Sequence, residues 1–330
     1  MKQFQVVGIG NAMVDVLAHA DEAFLAANGI GKGIMQLIDM PRAVDLYARI
    51  GPAKEISGGS AANTIAGIAH LGGRTAYVGK VKDDQLGAIF AHDLRAQGAV
   101  YETSLAAKAT EQETGRCIII VTPDGERSMN TYLGISAELG PDDVDESVAA
   151  GAEVVFLEGY LFDKDKGKDA FIRTARACRA AGGKAGIAIS DPFCVERHRA
   201  DFVSLIENEM DFVIGNEAEI RSLYQDNDLE ADLARVAAAC PLVVCTRSGD
   251  GVSIMHEGKR TDIPVTKIVP VDATGAGDQF AAGFLFGLVS GRDMETCGRM
   301  GNVCAAEVIS HIGPRPEVDM KALFAEHGLL

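Results

Sequence analysis

The sequence predicts an α/β fold: one domain over residues 1–330, built on a doubly wound, mostly parallel sheet flanked by helices, with a small β lid. Three observations carry that expectation. From residue 153, short apolar runs alternate with longer helical ones: Val154-Val155-Phe156-Leu157, a helix near Gly167 to Gly182, Ala185 to Ser190, a helix after Asp201, then Phe212-Val213-Ile214. That is the pattern of βαβ units around a parallel sheet. Nearer the C-terminus, the small-residue loop Asp272-Ala273-Thr274-Gly275-Ala276-Gly277-Asp278 runs into Phe280, Ala281, Phe284, Leu285 and Leu288 at helical spacing. Two early stretches, about 16–57 and 101–132, break the alternation and are assigned to the lid.

Composition narrows the partners. A chain of 330 residues with 47% hydrophobic content can bury a large core. Lys plus Arg number 31 against 47 Asp plus Glu, a net charge of −16, which argues against nucleic-acid backbones and anionic membranes. Any bound phosphate therefore needs a local site. Seven cysteines, odd in number and without a C-x-x-C pair, match a reduced cytosolic protein. With no signal-peptide or membrane-spanning run, a cytoplasmic location is expected, as a monomer or homodimer. The seven histidines are scattered without metal-ligand spacing.

In chain order, Val6-Val7-Gly8-Ile9 reads as the first strand. The glycines at 8 and 10 resemble a dinucleotide fingerprint only in part, because Met13 stands at the third glycine position and no acidic partner follows about twenty residues on. Asp15 is placed at the end of that strand, where open α/β sheets hold ligands. Gly29, Gly31 and Gly33 interrupt the next stretch, and Met35 to Ile38 reads as a short strand. In Ser57-Gly58-Gly59-Ser60-Ala61-Ala62-Asn63 the glycines permit close approach to a ligand, with Ser60 as the expected cap of the helix that follows. Arg116 to Val121, a turn at Pro123 to Glu126, and Arg127 to Thr131 form a hairpin pattern. Arg127 is open to two readings, reaching a transferred phosphate or lying on the surface.

The loop at 272–278 carries the chemistry. Gly275, Ala276 and Gly277 let backbone N–H groups converge at a helix start, where orphan donors and the helix dipole favour an anion. Asp278 would repel that anion unless it is there to accept a proton. An anion hole beside a general base points to phosphoryl transfer to a hydroxyl.

Asp272 to Asp278 resembles the D-T-x-G-A-G-D signature of the ribokinase-like (PfkB) carbohydrate and nucleoside kinases, departing from it at Ala273, where Thr is usual. The resemblance extends along the chain in order. Asp15 corresponds to the residue holding sugar hydroxyls. Gly58, Gly59 and Asn63 match the G-G-[small]-x-x-N helix start, with Asn63 reaching a ribose hydroxyl. Asn216 and Glu219 match an N-x-x-E motif that arranges magnesium and phosphates through water, and equally form a capping box. Thr246, Gly249 and Gly251 resemble a T-x-G-x-x-G loop along the ATP ribose and phosphates, with the first glycine one place late. Asn302 falls near the adenine site. Asp272 with Ser310 to Gly313 resembles a monovalent-cation loop, potassium in ribokinases.

The resemblance therefore implies an enzyme using ATP and magnesium, with Asp278 as base. Gly10-Asn11, Ser190 to Phe193 and Gly215 to Glu219 lean toward adenosine kinases. Leu37, Tyr160, Leu161 and Phe193 then fall near the purine, while Met35 stands where those kinases often have Gln. The implied reaction is phosphorylation of the primary hydroxyl of a ribonucleoside, adenosine first. A ribokinase- or fructokinase-type sugar kinase is the alternative, and a non-catalytic nucleoside-binding protein the third possibility.

Overall fold

A computed structural model describes residues 2–225 and 228–330. The described residues form a nine-stranded and a five-stranded sheet. The large sheet runs in the order Lys259–Ile263, Val252–His256, Leu242–Thr246, Phe212–Asn216, Lys184–Ala188, Ala152–Glu158, Phe4–Ile9, Thr75–Val78, Val100–Tyr101. All neighbours are parallel except the pairings made by Val252–His256, which are antiparallel at one edge. Strand order reverses between Phe4–Ile9 and Ala152–Glu158, so the sheet is doubly wound and its ligand crevice belongs at their carboxyl ends.

Both faces of this sheet are apolar because alternate residues of each strand feed opposite cores. Val6, Phe156, Ile214 and Val244 pack with Ile65, Phe280 and Phe284 of two helices, Ser60–His70 and Ala276–Val289. Val7, Val155, Val213 and Val243 pack with Phe171, Phe202 and Leu233 from the helices on the other side. Strands covered on both faces read as continuous hydrophobic runs, which is why this half was legible. One helix begins earlier than expected: it spans Pro192–Glu209, not a stretch after Asp201, because Asp191 caps it and Pro192 occupies its first turn. A non-helical turn at His198 separates its two halves.

The small sheet runs Met35–Leu37, Arg127–Tyr132, Gly115–Val121, Met13–His19, Ala53–Gly58. Its segments thus span 13–58 and 115–132, not 16–57 and 101–132; Val100–Tyr101 pairs with Thr75–Val78 at the edge of the large sheet instead. The hairpin of Gly115–Val121 with Arg127–Tyr132 is present as expected. Asp15 is displaced from its expected position. The chain leaves the large sheet after Ile9, and Asp15 lies inside the separate strand Met13–His19 of the small sheet. Among the described residues no helix is long and apolar enough to cross a membrane.

Candidate active site

The helix Ala276–Val289 is opened by Gly275 at φ +78, where a Cβ would lie 2.7 Å from the Pro314 backbone, so only glycine fits. Asp272 ties the loop before it: one carboxylate oxygen accepts from the Thr274 N–H at 3.0 Å, the other from the Gly313 N–H at 2.9 Å. Arg127 Nη2 stands 2.5 Å from that second oxygen, with both side chains less than a tenth exposed. Arg127 is therefore not a surface residue: it lines the cavity, with its guanidinium against Asp272. Its guanidinium holds the place on Asp272 where a monovalent cation was expected, and the residues there do not fit a further cation on that carboxylate. Of the three expected anion-hole amides, that of Ala276 turns back to the Ala273 carbonyl at 3.3 Å, so the loop itself takes this donor.

Asp278, in the first turn, is half-buried and held from the opposite helix. Its Oδ1 accepts from Ser60 Oγ at 2.6 Å and its Oδ2 from Asn63 Nδ2 at 3.0 Å. Ser60 was expected to cap its own helix. The cap is Gly59 instead, at φ +102 and packed against the Asn11 carbonyl, which frees the serine hydroxyl for Asp278. Burial pushes the Asp278 carboxyl up to about 6, against the lowering effect of the Ser60 and Asn63 hydrogen bonds and the Arg315 charge.

Asp15 faces the same space from the small sheet. Burial pushes it up to about 7; Arg315 and Arg127 lower it and Asp278 raises it. Strand register sets Leu37, Thr131, Cys117 and Asp15 in one row across the sheet, with Met35, Met129 and Ile119 in the next. The Asp15 carboxylate thus stands at the edge of an apolar floor. Gly58 backs it so closely that a Cβ there would lie 2.4 Å from the Asp15 carboxyl.

Two site residues escaped the sequence. Glu158 ends the strand at the point where strand order reverses. Its Oε1 accepts from the Asn11 N–H and Nδ2 at 3.1 and 3.0 Å, and its Oε2 from the Ala61 N–H at 2.8 Å. Burial drives it up to about 7 despite those donors. A carboxylate closing an apolar run was the available signal. Arg315, between two prolines, is the second, and its bonds are described below.

Asn216 and Glu219 form the reciprocal capping box of the helix Glu217–Tyr224. Glu219 Oε1 accepts from Asn216 Nδ2 at 2.7 Å and Oε2 from the Asn216 N–H at 2.9 Å. Burial first, then the nearby Asp191 and Asp278 charges, push Glu219 up to about 7 against the Asn216 N–H bond. A cavity of about 920 Å³ joins these groups: Asp15, Leu37, Gly59, Glu158, Tyr160, Asn216, Glu219, Thr246, Asp272, Gly275, Gly277 and Asp278 all line it. Gly58 and Asn63 stand directly behind that wall, against Asp15 and Asp278. Gly249, Gly251 and Asn302 are not in the lining. Gly251 packs on the Ile263 carbonyl and Asn302 Nδ2 donates to the Pro264 carbonyl at 3.3 Å, so both tie down the edge hairpin. Among the described residues no group of three or more His, Cys, Asp or Glu side chains is arranged to hold a metal directly.

Fold and site together define a ribokinase-like kinase. Residues 30–320 match the family described as pfkB family carbohydrate kinase. A probable sugar kinase from Rhizobium etli CFN 42 superposes with a TM-score of 0.92 at 46% identity, covering 100% of both chains. The adenosine kinase from Sinorhizobium meliloti gives a TM-score of 0.90 at 46% identity over 98% of this chain and 99% of that one. A protein of Archaeoglobus fulgidus described as an uncharacterized sugar kinase is 28% identical over 249 residues, 76% of this chain and 96% of its own length. The chain belongs to the pfkB family of carbohydrate kinases and is an ATP-dependent kinase.

Proposed function

We propose that this kinase transfers the γ-phosphoryl group of ATP to the primary hydroxyl of a ribonucleoside, adenosine first. The observation that carries this choice is the apolar floor beside Asp15. A free sugar needs only hydroxyl partners, whereas Leu37 and Phe193, 58% and 68% exposed on the cavity wall, offer apolar surface suited to the faces of a base. Asp15, Glu158, Glu219, Asp272 and Asp278 also line the cavity, and this negative charge favours a neutral acceptor over a phosphorylated sugar. The kinship with an adenosine kinase at 46% identity supports the same choice.

In this reading Asp15 accepts from the ribose hydroxyls and Asp278 takes the proton of the attacking hydroxyl. The new O–P bond forms as the bond to the ADP oxygen breaks, and the amides of Gly275 and Gly277 hold the charge of the moving group. Magnesium, when bound, offsets phosphate charge. Both Glu219 oxygens already accept from Asn216, so Glu219, with Asp191 nearby, suits an ion reached through water, the usual habit of magnesium. The small sheet acts as a lid that excludes water once the acceptor is bound.

The test is kcat/KM with magnesium ATP for adenosine, guanosine, inosine and ribose. Adenosine is expected to lead, with the other purine nucleosides phosphorylated measurably because Met35 reads no polar base edge. Faster phosphorylation of ribose than of every nucleoside moves the assignment to a sugar kinase.

A further inference from the structure

We propose that Arg315 is a positioning residue for the phosphoryl transfer: its guanidinium fixes the Asn63 amide so that the amide nitrogen, and not its oxygen, faces Asp278. This rests on Asp278 being the base. Asn63 lies between two partners of opposite demand. Arg315 Nε donates to Asn63 Oδ1 at 3.3 Å, and Asn63 Nδ2 donates to Asp278 Oδ2 at 3.0 Å. An arginine has only donors, so beside it the amide must present oxygen to Arg315 and nitrogen to the carboxylate. Without that constraint the amide is free to turn its oxygen toward Asp278, opposing two acceptors where the substrate hydroxyl has to lose its proton.

Arg315 is itself held. Nη2 donates to the Ser57 carbonyl at 2.6 Å and to Ser57 Oγ at 2.7 Å, and Nη1 reaches Asp93 Oδ2 at 3.4 Å. The same Asp93 oxygen accepts from the Ser57 N–H at 2.9 Å. The loop carrying Arg315 is tied to the catalytic helix by Gln279 Nε2, which donates to the carbonyls of both Asn63 and Pro314 at 3.1 and 3.0 Å. Flanking Pro314 and Pro316 restrict the backbone further. The charged groups acting on Arg315 are Asp93 from its helix, Asp15 from the small sheet and Asp278. Beyond its own hydrogen bonds, the charge favouring ionised Asp278 is Arg315, while Asp15 from the small sheet, Glu158 and Glu219 face it as like charges. A lysine offers no planar fork and cannot serve Asn63 and Ser57 together.

The experiment compares R315Q, R315K, N63A and N63A/R315Q with the wild type, using magnesium ATP and whichever of adenosine, guanosine, inosine and ribose has the highest kcat/KM. R315Q is expected to lower kcat by up to about 10²-fold with the ATP KM unchanged, a size typical of small misplacements in an active site. Its acid limb in kcat/KM moves to higher pH, because the charge favouring ionised Asp278 is gone. R315K keeps the charge but not the fork, so kcat falls while the limb stays; it also serves if R315Q does not fold. At a pH above the acid limb, where Asp278 is ionised in every variant, the double variant falls no further than N63A, since there Arg315 acts on kcat through Asn63. Wild-type kcat in R315K, or additive losses in the double variant, overturns the proposal. D278N run alongside separates the two readings: near wild-type turnover there removes Asp278 as base, whereas an inactive D278N beside a fully active R315Q removes only the role of Arg315.

Discussion

Asp278→Asn tests the catalytic assignment and the electrostatics of the site in one protein. The amide keeps the size and most contacts of the carboxylate: its oxygen can accept from Asn63 Nδ2 and its nitrogen can donate to Ser60 Oγ, the two partners Asp278 has now. What disappears is the proton acceptor. Loss of a general base costs roughly 10²–10⁴ in rate, or about 3–5 kcal/mol of barrier. Stability is expected to move the other way. Burial lifts Asp278 from 3.8 to about 6, so its ionised form costs the fold roughly 3 kcal/mol above that pH, at about 1.4 kcal/mol per unit. The variant removes that cost and weakens two charge-assisted hydrogen bonds by roughly 1 kcal/mol each. The balance is a gain of about 1 kcal/mol. With an unfolding entropy of roughly 2.1 cal/mol/K per residue over 330 residues, Tm is expected to stay level or rise by about 1–2 °C. Coupled detection of ADP release gives kcat, and scanning calorimetry at pH 7.5 gives Tm. Turnover within a few fold of wild type refutes the base; a Tm lower by more than about 5 °C refutes the account of its burial.

Gly58→Ala drives a methyl group to within 2.4 Å of the Asp15 carboxyl, so the acceptor KM is expected to rise at least about tenfold while the ATP KM holds. Equal changes in both constants show that the damage is not local to the acceptor. Arg127→Gln leaves Asp272, its side chain 3% exposed, without its counter-charge. Losing one partner of a buried pair costs about 3–5 kcal/mol, and a Tm drop of under 1 °C shows that the pair contributes little. Apo stability is expected to fall as pH rises from about 4.5 to 7. Asp15, Glu158 and Glu219 hold their protons to about 7 in the fold and Asp278 to about 6, against ordinary values of 3.8 for Asp and 4.5 for Glu. The folded state binds more protons across that window, so each unit of pH costs stability. Calorimetry at pH 5 and pH 7 checks the sign, and a higher Tm at pH 7 refutes it.

Residue pattern alone determined the parallel sheet, the hairpin and the loop at 272–278. Each depends on neighbours within a turn or a strand: Val154 to Leu157 is apolar throughout because both sheet faces are covered, and Gly275 with Gly277 marks a tight helix entry within four residues of Asp278. The boundary between the two sheets was not legible. Nothing local distinguishes a strand that continues from one that ends at Ile9 and resumes at Met13 in another sheet, so Asp15 was assigned to the wrong strand. Ser60 looked like a cap because its sequence neighbours could be capped. Its actual partner lies 218 residues away, and Arg315 meets Asn63 across 252. Such pairings are set by strand register and by which helices pack face to face. Those are properties of the assembled core, and local preference is silent about them. The sequence by itself therefore determined the chemistry available at Asp278. Only the tertiary structure decided which side chains hold that carboxylate and that an arginine of the small sheet occupies the neighbouring Asp272.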